Sequence, residues 1–459
     1  MLGSQKKMDQ VNPFKEKIVH FDLKGAPPTL KYYEEIFPLL KQMRVDAILM
    51  EYEDMFPYWD ELSVLKRATN YDDDIIKAIL ELASNNSLEV IPLVQTFGHM
   101  EFVLKHSKYS MYREDMLKHD TICPSDEGSH HLITEMLKQI RIMHPNAKRV
   151  HIGADEAYTI GKDIRCINRL TGNLNSSLDR LKLDHISRVA KYARSELQFT
   201  EVLVWNDMFG DIDVDLLKKY QMDELIVPVI WGYAVNVTRL NYFPRNMFKR
   251  YSQVFSKMMF ASAFKGANGQ NELFCYIKRY LANQRSYVEL YKKQKKYLHG
   301  KISGIILTGW QRYSHYSPLC EILPVSIPSL IVDLVYLNNI ELSKDEIIEK
   351  AKNILNCRNT IAKSSEKSII AAITDSINRT NKISLEMMFR NCSFPGSKIY
   401  DEVANLQWYI TTRKQSPSYL QNTCENIGAL LRPYFYEESV NEIVQEQLLK
   451  YFNRTSKCL

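Results

Sequence analysis

The sequence predicts an α/β fold, a (β/α)8 TIM barrel with a C-terminal helical extension. Eight short apolar runs alternate with amphipathic helical segments, a pattern typical of βα units around a parallel sheet. Acidic, histidine and tryptophan residues collect where these runs end, which is where such barrels keep their catalytic residues. The chain also lacks the G-x-G-x-x-G and G-x-x-x-x-G-K-[ST] loops that often accompany a doubly wound sheet.

The predicted strand–helix units occupy roughly 320 residues, somewhat more than the ~250 of a typical barrel because of inserted loops. The strands are predicted at 18–23, 46–53, 89–97, 149–156, 202–208, 225–233, 258–265 and 302–310. Helices are predicted at 29–43, 73–83, 129–143, 181–197 and 216–220, then in a long segment carrying Tyr276, Tyr280, Tyr287 and Leu290, and at 327–337. In the first helix, Tyr32, Ile36, Leu39 and Leu40 share the face expected to pack on the sheet.

The chain is predicted to divide into an N-terminal segment (1–17), a barrel (18–338) and a C-terminal helical region (339–459). The last region shows helical periodicity with polar faces, without strand alternation. Its helices are predicted at 344–355, 366–377, 399–412 and 440–452. We therefore expect a helical appendage packed on the barrel.

Composition limits the classes of partner. The 459 residues are 45% hydrophobic and 25% charged, as in a soluble globular protein, and the net charge of +6 is modest for this length. The only dense basic cluster consists of Lys292, Lys293, Lys295 and Lys296. It lies in a polar helical stretch, where these lysines are expected to form a solvent-exposed helix face. Uninterrupted apolar stretches stay well short of a membrane span. Neither nucleic acid nor a membrane is an expected partner, and a homodimer is left open.

Residues 1–17 are polar and charged, without the apolar segment of a secretory leader. The eight cysteines are scattered, with no C-x-x-C pair, so a zinc ribbon and a disulfide scaffold are both disfavoured. We expect a cytoplasmic protein, with the nucleus as a second open location, and reduced thiols.

The predicted strand ends are rich in side chains that suit a sugar. Three of the five tryptophans lie there, and indole faces stack on the C–H faces of a polyol ring while carboxylates bind its hydroxyls. Any one of these tryptophans alone would be assigned to packing, but three at equivalent positions favour a carbohydrate site. The residues are His20, Asp22, Glu51, Glu53, Asp54, Gln95, His99, Asp155, Glu156, Trp205, Asp207, Trp231, Tyr233, Trp310, Arg312 and Tyr313.

The fourth run ends in two adjacent acids, Asp155 and Glu156. Gly153 removes a side chain just before them, so that backbone and ligand can approach closely. The alternative is that Asp155 caps the next helix and Glu156 is a solvated first-turn acid. The concentration of functional side chains at the other strand ends favours a catalytic pair.

Two other functions compete with a glycosidase. His20, Asp22, His99, His151, Asp155 and Glu156 could ligate a metal in a barrel hydrolase, although the paired His-x-His common in a first strand is missing. A barrel that binds N-acetylated sugars without turnover would share the aromatic pocket. Serine chemistry has no G-x-S-x-G motif to support it.

The motif His151-x-Gly153-x-Asp155-Glu156 resembles the signature of the β-N-acetylhexosaminidases of glycoside hydrolase family 20. Further segments resemble the hexosaminidase D branch of that family, including His20-Phe-Asp22-Leu-Lys-Gly-Ala-Pro-Pro28, Glu51-Tyr-Glu53-Asp54, Thr96-Phe-Gly-His99, Trp205-Asn-Asp207-Met, Ala263-Phe-Lys-Gly-Ala267 and Gly309-Trp-Gln-Arg312. The similarity spans roughly residues 15–335. The domain that precedes the barrel in the lysosomal enzymes is not seen, which agrees with this branch.

The resemblance implies substrate-assisted retention, in which the substrate's 2-acetamido oxygen attacks the anomeric carbon. It makes Glu156 the general acid and Asp155 the residue that orients the acetamido N–H. Like-charge repulsion between the two acids is expected to raise the pKa of Glu156. His99 matches a position that tunes the acid, and Trp205, Trp231 and Trp310 match the aromatic walls. A small carbohydrate or glycoconjugate is the implied substrate, with no cofactor and no metal.

One position departs from the family pattern. The family commonly has a tyrosine at the seventh strand that donates a hydrogen bond to the acetamido oxygen, whereas this chain has Phe264. Tyr233 or Tyr313 is expected to replace it. The partners of the ring hydroxyls stay open among Asp22, Glu53, Asp54, Asp207 and Arg312.

Overall fold

Eight parallel strands close into a barrel in the computed structural model, in the order β1-β2-β3-β4-β5-β6-β7-β8. The structure describes residues 12–175, 177–357, 385–412 and 417–449. The strands are β1 (Glu16–Asp22), β2 (Ala47–Glu51), β3 (Glu89–Leu93), β4 (Arg149–His151), β5 (Glu201–Trp205), β6 (Val227–Trp231), β7 (Met258–Lys265) and β8 (Ile302–Gly309). Ile18 of β1 pairs with Ala47 of β2 and with Ile306 of β8, which closes the ring. The predicted fold class is confirmed.

Helices surround the strands because one face of each is apolar. The helix Asp73–Asn85 buries Ile76, Ile79 and Ala83, and the side chain of Asp72 accepts the N–H of Ile75 at its start. The α-helices are Leu30–Gln42, Asp73–Asn85, Glu101–Leu104, Glu127–Met143, Ile164–Thr171, Leu178–Ser195, Val214–Lys219, Met222–Leu225, Met247–Val254, Ile277–Lys293, Lys295–Leu298 and Leu323–Asn338. Shorter 3-10 turns lie at Glu53–Met55, Asp60–Leu65, Ser107–Tyr112, Asp207–Phe209 and Glu386–Phe389.

Two apolar layers hold the barrel together. The inner layer fills the barrel with residues such as Leu49, Ile91 and Ile306, while the outer layer packs the strands against the helices. The helix Leu323–Asn338 is almost entirely buried in the outer layer and begins with Pro324 in its first turn, where the missing N–H costs nothing.

The C-terminal region is helical and lies against the barrel. Its helices are Lys344–Ile354, Ser397–Thr412, Pro417–Leu431 and Glu437–Asn441, and a π-helical segment follows at Glu442–Leu449. Thr29 donates its N–H to the carbonyl of Tyr434 at 2.8 Å, which fixes this region to the first barrel helix. The helix predicted at 366–377 and residues 450–452 of the last predicted helix lie outside the described residues.

Cys357 forms a disulfide with Cys392, so the expectation that the thiols are reduced is wrong for this pair. Among the other described cysteines, five are free and buried: Cys123, Cys166, Cys275, Cys320 and Cys424. Within the described ranges, no helix combines the length and apolarity needed to cross a membrane.

Candidate active site

A cavity of about 350 Å³ opens at the carboxyl ends of the strands. This is the end at which (β/α)8 enzymes place their catalytic residues. The cavity is lined by Lys24, Gln95, His99, Asp155, Glu156, Trp231, Tyr233, Ala234, Tyr242, Gly266, Ala267, Arg279, Trp310, Arg312 and Tyr313. Its volume lies at the lower end of the ~300–1,000 Å³ usual for small-molecule sites.

The backbone after β4 turns both acids toward this cavity. The strand ends at His151, whereas the sequence pattern predicts a strand to residue 156. Gly153, Ala154 and Glu156 then adopt left-handed φ values of 61°, 67° and 50°. A Cβ at Gly153 would lie 1.9 Å from the side-chain amide oxygen of Gln95, and its φ is one that glycine adopts most readily, so both the space and the backbone favour glycine there. Because the strand geometry is broken, consecutive carboxylates no longer point to opposite faces.

His99 joins the two acids. Its Nε2 lies 3.1 Å from Glu156 Oε2 and 3.5 Å from Asp155 Oδ2. The residue before it must be small, because a Cβ at Gly98 would overlap the carbonyl oxygen of Asp155. His99 itself has a φ of 53°, a conformation that tight packing of this turn enforces.

The pKa values of the two acids are shifted in opposite directions, and that of Glu156 moves against the sequence expectation. Burial raises the pKa of Asp155 to about 7, against the attraction of His99. The hydrogen bond with His99 lowers the pKa of Glu156, although burial opposes this. For His99, burial alone would lower the pKa, but the charge of Asp155 and the bond to Glu156 raise it to about 10. The expectation that repulsion holds Glu156 protonated is therefore wrong for the free protein, because the imidazolium outweighs the second carboxylate.

Asp207, in the 3-10 turn that follows β5, supports the acid pair. Its Oδ2 accepts the backbone N–H of Glu156 at 2.9 Å, and its Oδ1 accepts Nε1–H of Trp231 at 3.0 Å. Tyr158 donates its hydroxyl to Glu156 Oε1 at 3.1 Å. Asp207 thus holds the acid and an aromatic wall in one network and does not itself line the cavity.

The three predicted tryptophans occupy different depths. Trp231 and Trp310 line the cavity, and the ring of Tyr233 stacks on Trp231 at 5.2 Å. Trp205 is 1% exposed and belongs to the apolar layer inside the barrel, where it packs against His151 at 4.3 Å and against Trp310 at 6.0 Å. Trp205 therefore packs against Trp310 from the barrel interior and does not line the cavity.

Asp22 and Glu53 bind a lysine and do not line the cavity. Lys24 Nζ lies 3.1 Å from Asp22 Oδ1, 3.1 Å from Glu51 Oε1 and 3.6 Å from Glu53 Oε1. Burial alone would lower the pKa of Lys24, but these three carboxylates raise it well above its usual range. The lysine, which does line the cavity, is thereby held as a fixed cation.

Sequence reasoning missed several residues of the cavity wall, among them Lys24, Tyr242 and Arg279. Lys24 stands two residues after the end of β1, close enough to the strand end to have been a candidate. Tyr242 and Arg279 lie in a long loop and in the helix Ile277–Lys293, where no strand-end rule applies.

The six side chains considered as metal ligands separate into different environments. His20 Nε2 lies 3.0 Å from Glu51 Oε2. His151 accepts the N–H of Gly153 on Nδ1 at 2.9 Å, and burial lowers its pKa to about 3. These two imidazoles are buried inside the barrel, whereas His99 lies with the acid pair at the cavity.

An acid pair between aromatic rings at the mouth of such a barrel is the site of a glycoside hydrolase. The model of the glycosyl hydrolase family 20 catalytic domain matches residues 51–242. Hexosaminidase D of Bos taurus is 43% identical over 318 residues, covering 69% of this chain and 90% of the bovine protein. Hexosaminidase D of Homo sapiens is 39% identical over 349 residues, covering 76% of this chain and 70% of the human protein.

The chain therefore belongs to glycosyl hydrolase family 20, and the predicted resemblance to its hexosaminidase D branch is confirmed. The β-N-acetylhexosaminidase of Bacteroides fragilis NCTC 9343 superposes with a TM-score of 0.54 at 13% identity, covering 74% of this chain and 70% of that one. At this identity the likeness supports the barrel fold alone.

Proposed function

We propose that this protein is a retaining exo-β-N-acetylhexosaminidase that removes terminal β-linked N-acetylgalactosamine or N-acetylglucosamine by substrate-assisted catalysis. One observation carries the mechanism. Asp155 lines the cavity next to the general acid candidate Glu156, and its Oδ1 is buried without a hydrogen-bond donor among the described residues. A buried acceptor without a partner is costly unless a ligand satisfies it.

The acetamido N–H of the substrate supplies that donor. With its nitrogen held on Asp155, the acetamido group turns its oxygen toward the anomeric carbon. As the oxazolinium ion forms, positive charge grows on this group, and an ionised Asp155 stabilises it at short range. The pKa of about 7 lets Asp155 enter the reaction as a carboxylate at neutral pH without a large excess of negative charge in the free site.

Glu156 delivers the proton to the glycosidic oxygen. In the free protein this proton resides on the His99 side of the 3.1 Å hydrogen bond. Sugar binding excludes water from the half-buried Glu156 carboxylate, and desolvation raises the pKa of a carboxyl group. The proton then moves along the existing bond to Glu156, which gives it to the leaving group and later accepts one from the attacking water.

The aromatic residues define the space for one sugar. Trp231, Tyr233 and Trp310 surround the acid pair in a cavity of about 350 Å³, which suits a terminal residue and supports exo action. We assign Tyr233 as the donor to the acetamido oxygen. The ring of Tyr233 lies between Trp231 and Trp310, at 5.2 and 6.1 Å. Tyr313 is 38% exposed and its hydroxyl is held at the backbone N–H of Gly269, while Phe264 is buried beside Gly309 and has no hydroxyl.

Hydrolysis of aryl β-N-acetylglucosaminide and β-N-acetylgalactosaminide tests this proposal. We expect chromophore release from at least one of them, with the β-anomer of the free sugar appearing first in the NMR spectrum. Binding of the sugar without turnover would instead identify a non-catalytic sugar-binding barrel. Initial release of the α-anomer would refute retention.

A further inference from the structure

A second cluster of chemically reactive side chains lies beside the active-site loops. Glu114 and Cys123 belong to the segment that follows β3, and Cys166 belongs to the helix Ile164–Thr171 after β4. Cys123 Sγ lies 3.6 Å from Cys166 Sγ, and Cys166 Sγ lies 3.2 Å from Glu114 Oε2. One donor atom from each residue falls within 4.8 Å of the others.

The carboxylate of Glu114 is fixed in orientation by the backbone. Its Oε1 accepts the N–H groups of Gly161, Lys162 and Asp163 at 2.6, 2.8 and 3.2 Å. These bonds occupy one oxygen and direct the other, Oε2, toward the sulfur of Cys166. The arrangement resembles a preorganised metal ligand, whose second oxygen is commonly held by hydrogen bonds.

The surroundings favour a cation at this place. Glu114 is 1% exposed, both cysteines are 0% exposed, and Leu174 and Leu181 complete an apolar cluster around the sulfurs. Buried carboxylates are normally paired with a cation or coordinate a metal. In the described part of the chain, Glu114 forms no ion pair with lysine, arginine or histidine.

We propose that Glu114, Cys123 and Cys166 bind a zinc ion. Tetrahedral zinc with the usual bond lengths places two sulfurs about 3.8 Å apart and a sulfur and an oxygen about 3.6 Å apart. The observed 3.6 and 3.2 Å are close to these values, and the ligand atoms of Cys123 and Glu114 lie within 4.8 Å of each other. Two thiolates with one carboxylate select zinc over the hard cations Mg²⁺ and Ca²⁺. Binding releases two thiol protons, and a water or the hydroxyl of Ser125, 3.0 Å from Cys166 Sγ, takes the fourth position.

The ion would act as a clamp for the loops that carry the active site. The loop of Cys123 is tied to the His99 turn, because Ile122 donates its N–H to the carbonyl of Phe97 at 3.0 Å. The loop that leads to the helix of Cys166 begins just after Glu156. None of the three ligands lines the catalytic cavity, so the zinc stabilises these loops and takes no part in the reaction.

Metal binding to the full chain tests the proposal. The reduced, metal-free protein is titrated with Co²⁺ and separately with Zn²⁺. We expect one equivalent to bind, with a thiolate-to-cobalt charge-transfer band, and Zn²⁺ to raise the melting temperature. C123S, C166S and E114Q should each weaken binding by about 100-fold or more. The matched control is C424S, which removes a buried free thiol outside the cluster.

Thiol alkylation of the unmutated protein provides a second measurement in case a variant does not fold. Zn²⁺ should protect Cys123 and Cys166 and leave the labelling of Cys424 unchanged. A folded protein that binds no stoichiometric metal, a Cys123–Cys166 disulfide found by mass spectrometry, or metal binding equal in C424S and C166S would each overturn the proposal. Because these readouts need no sugar substrate, their failure leaves the glycosidase mechanism untouched.

Discussion

Replacing Asp155 by asparagine separates substrate assistance from an ordinary two-carboxylate mechanism. The change preserves shape but replaces one oxygen by an NH2 group. One side of the Asp155 carboxylate faces His99 at 3.5 Å, and the other side carries the unpartnered Oδ1. Either orientation of the amide therefore directs NH2 at a donor, which is the imidazolium or the acetamido N–H of the substrate.

The size of the effect follows from two losses. A hydrogen bond to a charged acceptor contributes about 1.5–3 kcal/mol, and leaving a buried donor unsatisfied costs about 1–3 kcal/mol. Together they amount to about 3–6 kcal/mol in the transition state. Since about 1.4 kcal/mol corresponds to a factor of ten, kcat/KM should fall by about 10²–10⁴.

Stability should respond in the opposite direction. Because the pKa of Asp155 in the folded protein is about 7, above its ordinary value, the folded state binds the proton more tightly than the unfolded chain. Stability then falls as the pH rises from about 4 to 7, by at most on the order of 4 kcal/mol. D155N removes this penalty, so its melting temperature at pH 8 should equal or exceed that of the wild type.

The assay compares an aryl β-N-acetylhexosaminide with the matching unacetylated glycoside, and it includes a thiazoline analogue of the cyclised intermediate. The unacetylated glycoside should be a very poor substrate, and D155N should bind the thiazoline more weakly. Efficient cleavage of the unacetylated sugar, a glycosyl ester trapped on Asp155, or a loss below tenfold in D155N would refute the reasoning.

Three further predictions concern the neighbours of Asp155. E156Q should lose about 10²–10⁴-fold in rate on substrates with a sugar leaving group and less on activated aryl substrates, because the latter depart without a proton; equal losses would assign Glu156 another role. The pH profile of kcat/KM should have an acidic limb near pH 7, where Asp155 must lose its proton, and an alkaline limb near pH 10, where His99 loses its proton. The D155N variant should lack the acidic limb. An acidic limb that remains in D155N would contradict the assignment to Asp155. Y233F should lower kcat/KM by about 10- to 100-fold through misplacement of the acetamido oxygen, while Y313F stays near the wild type; the reverse order would assign the donor to Tyr313.

The fold could be predicted because strand and helix periodicities are local properties of the sequence. The predicted strand at 258–265 coincides with β7, while the runs at 89–97 and 149–156 extend beyond β3 and β4. Those two runs stay buried after the strand pairing ends, since they line the mouth of the barrel. Burial produces the same apolar pattern with or without strand hydrogen bonds, so the pattern could not mark the strand ends.

The acid pair could also be found from the sequence, since its motif is contiguous. The position of Trp205 could not, because its depth depends on barrel tilt and on which side chains fill the interior. The role of Lys24 could not be predicted either, because its partners Glu51 and Glu53 come from the next strand and its following loop. The pKa order of the two acids is set by His99, which is far away in sequence and reaches both only after folding.

Arg312 lines the cavity, yet its guanidinium is paired with Glu442 in the C-terminal π-helical segment, at 2.5 Å. A shortened chain that ended before residue 437 would keep all eight strands and still lose the carboxylate that orients this arginine. The barrel without its C-terminal region therefore does not hold the complete cavity wall in place. A residue of the cavity wall is thus held in place by Glu442, more than a hundred positions downstream of the last strand.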